Sequence, residues 1–247
     1  MLINLVLKRK IKKQPGRKLF IIPKPQNTFF QKIIFEKILS VNPTTFKEKK
    51  FYNQFYYLSL KNIKNTKSIY YLALLKLNKR KTPIKINTFW LEKNRFINPY
   101  NPQIQKFARK LKKHNDLETI KQSFKFTVEK LKYDAPIKGL YRLENALEVF
   151  SGKRKGVDCG GFSVFLISLL RSLKIPSRLA VGFVIRQKFL KVLHTLRFSF
   201  LTQNSLYMHA WVETFSKEKG IISIDPSVEW RRKKGLTRRE SFKTDFF

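Results

Sequence analysis

From Asn101 onward the apolar positions of the chain fall into a helical rhythm. Ile104, Phe107, Ala108 and Leu111 recur at three- and four-residue spacing, with Asn101 placed to cap the helix and Pro102 at its first position. Asp116 stands as the expected cap of a second amphipathic helix, whose buried stripe is Leu117, Ile120, Phe124, Val128 and Leu131. A short third helix is expected over 143–150, stopped by Ser151-Gly152. The apolar stripe then widens to Phe162, Phe165, Leu166, Leu169, Leu170 and Leu173, as in a helix embedded in a core. That helix opens at Cys159 and ends at Ile175-Pro176, because the residue before a proline is pushed out of the helical region. Three strands are expected next, over 178–185, 208–215 and 221–225. Helices first and strands afterwards describe an α+β domain with an antiparallel sheet.

Upstream of Asn98-Pro99-Tyr100-Asn101-Pro102 the rhythm is different. From about Phe20 to Leu91, short aromatic and β-branched runs are separated by Pro, Asn and Lys clusters. The runs at 69–75 and 84–90 read as two strands joined by a basic turn. Residues 1–19 are basic, show no periodic face and read as loose. The expected organisation is a basic, β-rich N-terminal extension over 1–95, an α+β domain over 96–230 and a basic tail over 231–247.

Composition adds two constraints. A chain of 247 residues with 43% hydrophobic positions can bury a substantial core. Its single cysteine excludes an internal disulfide and any multi-cysteine zinc or iron–sulfur site. No stretch approaches the roughly 18–20 apolar residues of a membrane span. The apolar run Met1 to Leu7 is shorter than a signal peptide's and its charges follow it, so a cytoplasmic location is expected.

The net charge of +37 is spread along the whole chain. It fits an anionic partner such as nucleic acid, a membrane surface or an acidic polymer. It fits equally an AT-rich coding composition, given the abundance of Lys, Asn, Ile, Phe and Tyr. Charge alone names no partner, and the sequence contains no Gly-rich phosphate loop, metal-ligand cluster or nucleic-acid-binding module.

The chemistry concentrates at Cys159, His209 and Asp225. Cys159 opens a helix within Gly-Val-Asp-Cys-Gly-Gly-Phe, His209 begins His-Ala-Trp-Val-Glu, and Asp225 closes a strand before Pro226. A thiol, an imidazole and a carboxylate are the parts of a nucleophile, a base and an orienting group. An ordinary thiol is only a few per cent ionised at neutral pH, and making it mostly thiolate takes about 2.7 kcal/mol. A helix N-terminus supplies about 0.3–1 kcal/mol, or about 2 kcal/mol in a partly buried site, so the dipole alone is insufficient. A neighbouring imidazolium from His209 makes up the difference, with Asp225 fixing its tautomer. Gly160 and Gly161 would let a substrate carbonyl approach the N–H groups of the helix start and so stabilise an oxyanion. The apolar neighbours Ala210 and Trp211 would keep the surroundings of His209 poor in water, and Trp211 fits equally a plain core tryptophan.

These motifs together resemble one family. The stretch from Gly156 to Ser163, followed by Leu170-Arg171-Ser172-Leu173-Lys174-Ile175-Pro176-Ser177-Arg178 and on to Phe183, resembles the nucleophile helix and following strand of transglutaminase-like proteins. His209-Ala210-Trp211-Val212-Glu213 and Ile224-Asp225-Pro226-Ser227 resemble that family's histidine and aspartate motifs, in the family's order. The similarity covers about residues 100–230. It implies a papain-like core with Cys159 as nucleophile, His209 as base and Asp225 as orienting acid. It implies a protein or peptide amide as substrate, with a thioester intermediate resolved by water or an amine, and it calls for no cofactor. Nothing outside this core resembles the calcium-dependent animal enzymes, so no calcium site is carried over. The run from Asp158 to Phe162 is also similar to the nucleophile motif of NlpC/P60 cell-wall peptidases, which lack the Ile-Pro-Ser-Arg strand entry and the His-Ala-Trp to Asp-Pro pairing. A catalytically silent core with a basic binding surface is the non-enzymatic alternative.

The remaining histidines carry less. His194 lies in the basic-apolar segment 186–206, which reads as a solvated connector rather than a loop rimming a cleft or an added hairpin. His114 reads as an exposed helix-end residue, and the run Arg231 to Lys234 with Arg238-Arg239 as a solvated basic tail.

Overall fold

One-sided burial at every second residue organises the N-terminal part of the chain into sheets. The computed structural model describes residues 2–28, 31–39, 41–48, 53–77, 86–134, 146–153, 156–185, 198–202 and 206–237. It divides into two compact units, Met1–Lys85 with Phe183–Tyr207, and Ile86–Gly182 with Met208–Phe247.

The first unit is built from two sheets. Strands β1 (Leu2–Ile11), β3 (Gln31–Leu39) and β6 (Lys67–Leu77) pair antiparallel, and β8 (Phe198–Thr202) adds parallel to β1, giving the order β3-β6-β1-β8. Strands β2 (Gln14–Pro23), β5 (Gln54–Ile63) and β4 (Thr44–Lys47) form an antiparallel sheet in the order β2-β5-β4. Alternate residues of both sheets, Ile3 and Leu5, Tyr56 and Leu58, Ile69, Tyr71, Ala73 and Leu75, share one apolar core.

Three expectations are corrected, two of them in this unit. Residues 1–19 are not loose, because Ile3, Leu5 and Ile11 bury one face of β1 and β2 begins at Gln14. Residues 84–90 are not a strand: Thr88–Trp90 is a 3-10 helix that buries Trp90, and 84–85 lie outside the described residues. Segment 186–206 is not simply a connector, since it supplies β8; His194 itself lies outside the described residues.

The second unit is the α+β domain. Helices α1 (Pro102–Leu111), α2 (Asp116–Lys130), α3 (Ala146–Phe150) and α4 (Cys159–Ser172) precede strands β7 (Ser177–Ile185), β9 (Leu206–Ser216) and β10 (Gly220–Ile224). The sheet order is β10-β9-β7, with β10 antiparallel to β9. A further helix, α5 (Pro226–Lys233), follows and was not anticipated. It takes in Arg231, Arg232 and Lys233, so this part of the basic run is helix rather than loose tail; residues 238–247 lie outside the description.

Helix α4 sits between two apolar clusters. On one side Val164, Leu166, Ile167 and Leu170 meet Ile120, Phe124 and Val128 of α2, Val212 of β9, and Ile222 and Ile224 of β10. On the other, Phe162, Phe165 and Leu169 meet Ile104, Ala108 and Leu111 of α1, and Ala146 and Val149 of α3. Burial on both flanks explains why the helix is apolar nearly all round. A fixed helix with a fixed N-terminus is the consequence that matters for the site. Where the sequence pointed to Asp116 as a cap, the structure caps α2 with Asn115, whose side chain accepts from the Glu118 N–H, and Asp116 takes the first turn.

Candidate active site

The local sequence holds Cys159 and Asp225 at helix N-termini and His209 within a strand. Asp158 caps α4, accepting from the Gly161 N–H at 3.0 Å, and this sets Cys159 as the first helical residue. His209 lies on β9, whose register with β10 pairs Val212 with Ile224. Asp225 directly follows β10 and caps α5, with Oδ1 accepting from the N–H groups of Ser227 and Val228, both at 3.1 Å, and from the Ser227 hydroxyl at 2.7 Å. Its other oxygen, Oδ2, is 2.5 Å from His209 Nε2. One carboxylate therefore anchors a helix and holds an imidazole at once.

All three side chains are buried, Cys159 to 2%, His209 to 6% and Asp225 to 3% exposure. Burial disfavours the charged imidazole, yet hydrogen bonds from Asp225 and Cys159, with the charges of both, raise His209 to about 10. Cys159 thus acts on the same ring that Asp225 holds. With Nε2 committed to Asp225, Nδ1 is the nitrogen left for the sulfur.

The sequence-predicted neighbours fall less uniformly. Gly160 and Gly161 both lie in the buried first turn of α4, but the Gly161 N–H is spent on the Asp158 cap and is not left to meet an oxyanion. The first-turn N–H groups of Cys159 and Gly160 remain for that task. Trp211 lies over Gly182 of β7, where a Cβ would stand 2.8 Å from the indole Cη2. Glycine at 182 thereby lets the indole lie flat on the strand. His114 is exposed and pairs only with its neighbour Asn115 among the bonds described.

Sequence reasoning missed two contributors. Tyr133 forms a parallel bridge with Val157, two residues before Cys159, and its ring packs on Phe162 and Trp230 with centroids 6.2 Å away in each case. Burial raises its phenol well above the ordinary value, and electrostatic interaction with Cys159 adds to this. Arg178 and Glu213 form the second. Arg178 Nη2 lies 2.7 Å from Glu213 Oε2, and the guanidinium covers the Trp90 ring at 4.5 Å. The pair ties β7 to β9 four residues from His209. Both residues stood inside the quoted motifs; an arginine at a strand entry and an acid on the histidine strand are the signal.

Removing Arg178 would leave the Glu213 carboxylate buried without its cation. Arg178→Ala is expected to lower unfolding stability by about 3 kcal/mol, read by urea denaturation, with Glu213→Gln costing less.

Among the described residues no group of three or more His, Cys, Asp or Glu side chains could hold a metal ion.

Comparison with known proteins agrees with this architecture. The sequence model of the transglutaminase-like superfamily matches residues 105–226. A solved structure of a candidate cysteine protease from Cytophaga hutchinsonii superposes with a TM-score of 0.61 at 17% identity, covering 91% of this chain and 74% of that one. The periplasmic domain of TgpA from Pseudomonas aeruginosa gives a TM-score of 0.43 at 13% identity, covering 92% and 75%. No curated protein matches the sequence.

Proposed function

The chain belongs, through residues 105–226, to the transglutaminase-like superfamily, and from that premise we propose that it is a thiol enzyme acting on protein or peptide amide bonds. The observation that carries this reading is the shared imidazole: Asp225 Oδ2 holds Nε2 at 2.5 Å while Cys159 acts on the same ring. In this reading His209 takes the thiol proton through Nδ1 and the Cys159 sulfur attacks the amide carbonyl carbon. The carbonyl oxygen becomes an oxyanion facing the Cys159 and Gly160 N–H groups at the positive end of α4. Collapse forms the thioester and expels the amine, which leaves with the proton held by His209. Water or a second amine then attacks the thioester, His209 accepts its proton, and the returning thiolate closes the cycle.

Both outcomes are read in one experiment. The protein is incubated with an unfolded, glutamine-containing protein such as casein and a fluorescent primary amine. Fluorescence incorporated into the casein reports acyl transfer, whereas ammonia release or new peptide termini report hydrolysis. Absence of all three, together with no mass adduct on Cys159 from an amide-mimicking electrophile, would overturn the reading in favour of a catalytically silent core.

A further inference from the structure

The outward face of the β2-β5-β4 sheet departs from the pattern of a solvated sheet. From Arg17 onward the register pairs Leu19 with Ser59, Ile21 with Tyr57 and Pro23 with Phe55, while β4 sets Thr44 opposite Tyr57 and Phe46 opposite Phe55. Alternation then assigns faces. Phe20, Ile22, Tyr56, Leu58 and Leu60 point into the core of the first unit, so Leu19, Ile21, Phe46, Phe55 and Tyr57 share the opposite face. A sheet with one side in water carries polar residues at those positions. Here Leu19 is 55% exposed, Ile21 53% and Phe46 49%. Three large apolar side chains held half in water on one small sheet mark an interaction surface.

The charge around this face says what it meets. Arg17 and Lys61 are register partners at one end of the same face, both exposed, and Arg17 Nε is held there by the Ser59 hydroxyl at 2.8 Å. Residues 1–85 contain 21 Lys and Arg against 2 Asp and Glu. One of those acids, Glu36, is already neutralised by Lys24 at 2.8 Å. An apolar centre with a cationic end, in a unit almost without anions, is complementary to an anionic bilayer: aliphatic side chains enter the acyl boundary while the cations meet headgroup phosphates.

Two other occupants fit less well. A second copy of this chain would bring two strongly cationic units together. Single-stranded nucleic acid stacks its bases on open aromatic faces, but the two most exposed of these residues are Leu19 and Ile21, and the Phe46 ring is engaged edge-on with Tyr57 at 5.9 Å and 83°. We infer that the Leu19–Ile21–Phe46 face docks the protein on anionic lipid surfaces, independently of the Cys159 site.

The test is co-sedimentation of the full chain with vesicles of phosphatidylcholine alone or mixed with phosphatidylglycerol. Binding is expected to the mixed vesicles and to weaken with salt. Leu19→Thr with Ile21→Thr keeps strand-forming residues on an exposed face, and should reduce partitioning by about tenfold or more. Arg17→Gln with Lys61→Gln should reduce it by about fivefold for each charge removed. Cys159→Ala should bind as the wild type does, which keeps this result separate from the fate of the enzymatic reading. Equal binding to neutral vesicles, or unchanged binding by both double variants, would overturn the inference. So would binding of a random RNA oligomer but not of vesicles, or a dimer in solution that the Leu19/Ile21 variant dissociates.

Discussion

Replacing Cys159 with alanine is expected to lower turnover of the proposed amide substrate by about 10⁴-fold or more, since no other thiol exists in the chain to take its place. The fold should survive. The cysteine side chain is small, and what orders the start of α4 is the Asp158 cap and the apolar clusters on both flanks of the helix, none of which uses the sulfur. The melting temperature is therefore expected within about 4 °C of wild type. A second readout separates loss of chemistry from loss of structure. Asp225 still holds Nε2 in the variant, but one of the groups that raise His209 has gone, so the imidazole should titrate lower than in the wild type when followed by NMR. An unchanged His209 titration would mean that sulfur and imidazole are not coupled.

Asp225→Asn has the second largest expected effect, and its logic lies in the two oxygens of Asp225. Oδ1 accepts three hydrogen bonds from the start of α5 and Oδ2 faces His209. Asparagine can serve the cap with its single oxygen, which turns its NH₂ toward Nε2. Nε2 must then accept rather than donate, and the neutral ring carries its proton on Nδ1, the nitrogen that would take the proton from sulfur. The base is present but already protonated where it is needed. Turnover should fall by about 10³-fold or more with the helix cap intact. Asp225→Ala, which also removes the cap, should lose further stability of about 1 kcal/mol. If Asp225→Asn turns over like the wild type, the carboxylate serves only as a cap.

The order of the candidate residues along the chain was legible because each carries its own local signal, two of them at helix starts and His209 on a strand. Asp158 before an apolar run, His209 on a strand and Asp225 at a strand end needed no long-range information. Other features failed for physical reasons. In β1, Lys8, Arg9 and Lys10 are all exposed, and this charge run hid the alternation that buries Ile3 and Leu5. Asp225-Pro226 ends a strand and is also a cap followed by proline at the first helical position, and α5 ends in basic residues before Gly235 at φ +69°, so one residue pair carries two local signals. Asn115 and Asp116 are adjacent capping residues, and only geometry decides which one reaches the Glu118 N–H. Tyr133 reaches the site through a bridge to Val157, a pairing between distant segments that periodicity does not encode. The cost of the Asp158 cap to Gly161 is similar: the motif shows a glycine near the nucleophile, but not that its N–H is already taken.

The most direct test of the account is the alkylation rate of Cys159 against pH, since this single cysteine gives an unambiguous label. Iodoacetamide is small, and the sulfur is only 2% exposed, so the native protein must both admit the reagent and present a thiolate. If the thiol has handed its proton to His209, the rate at pH 7 should lie within about threefold of the rate at pH 9, and His209→Ala should abolish that plateau. A rate rising about 25-fold over the same interval, as for an isolated thiol, or no labelling until the protein is unfolded, would contradict it.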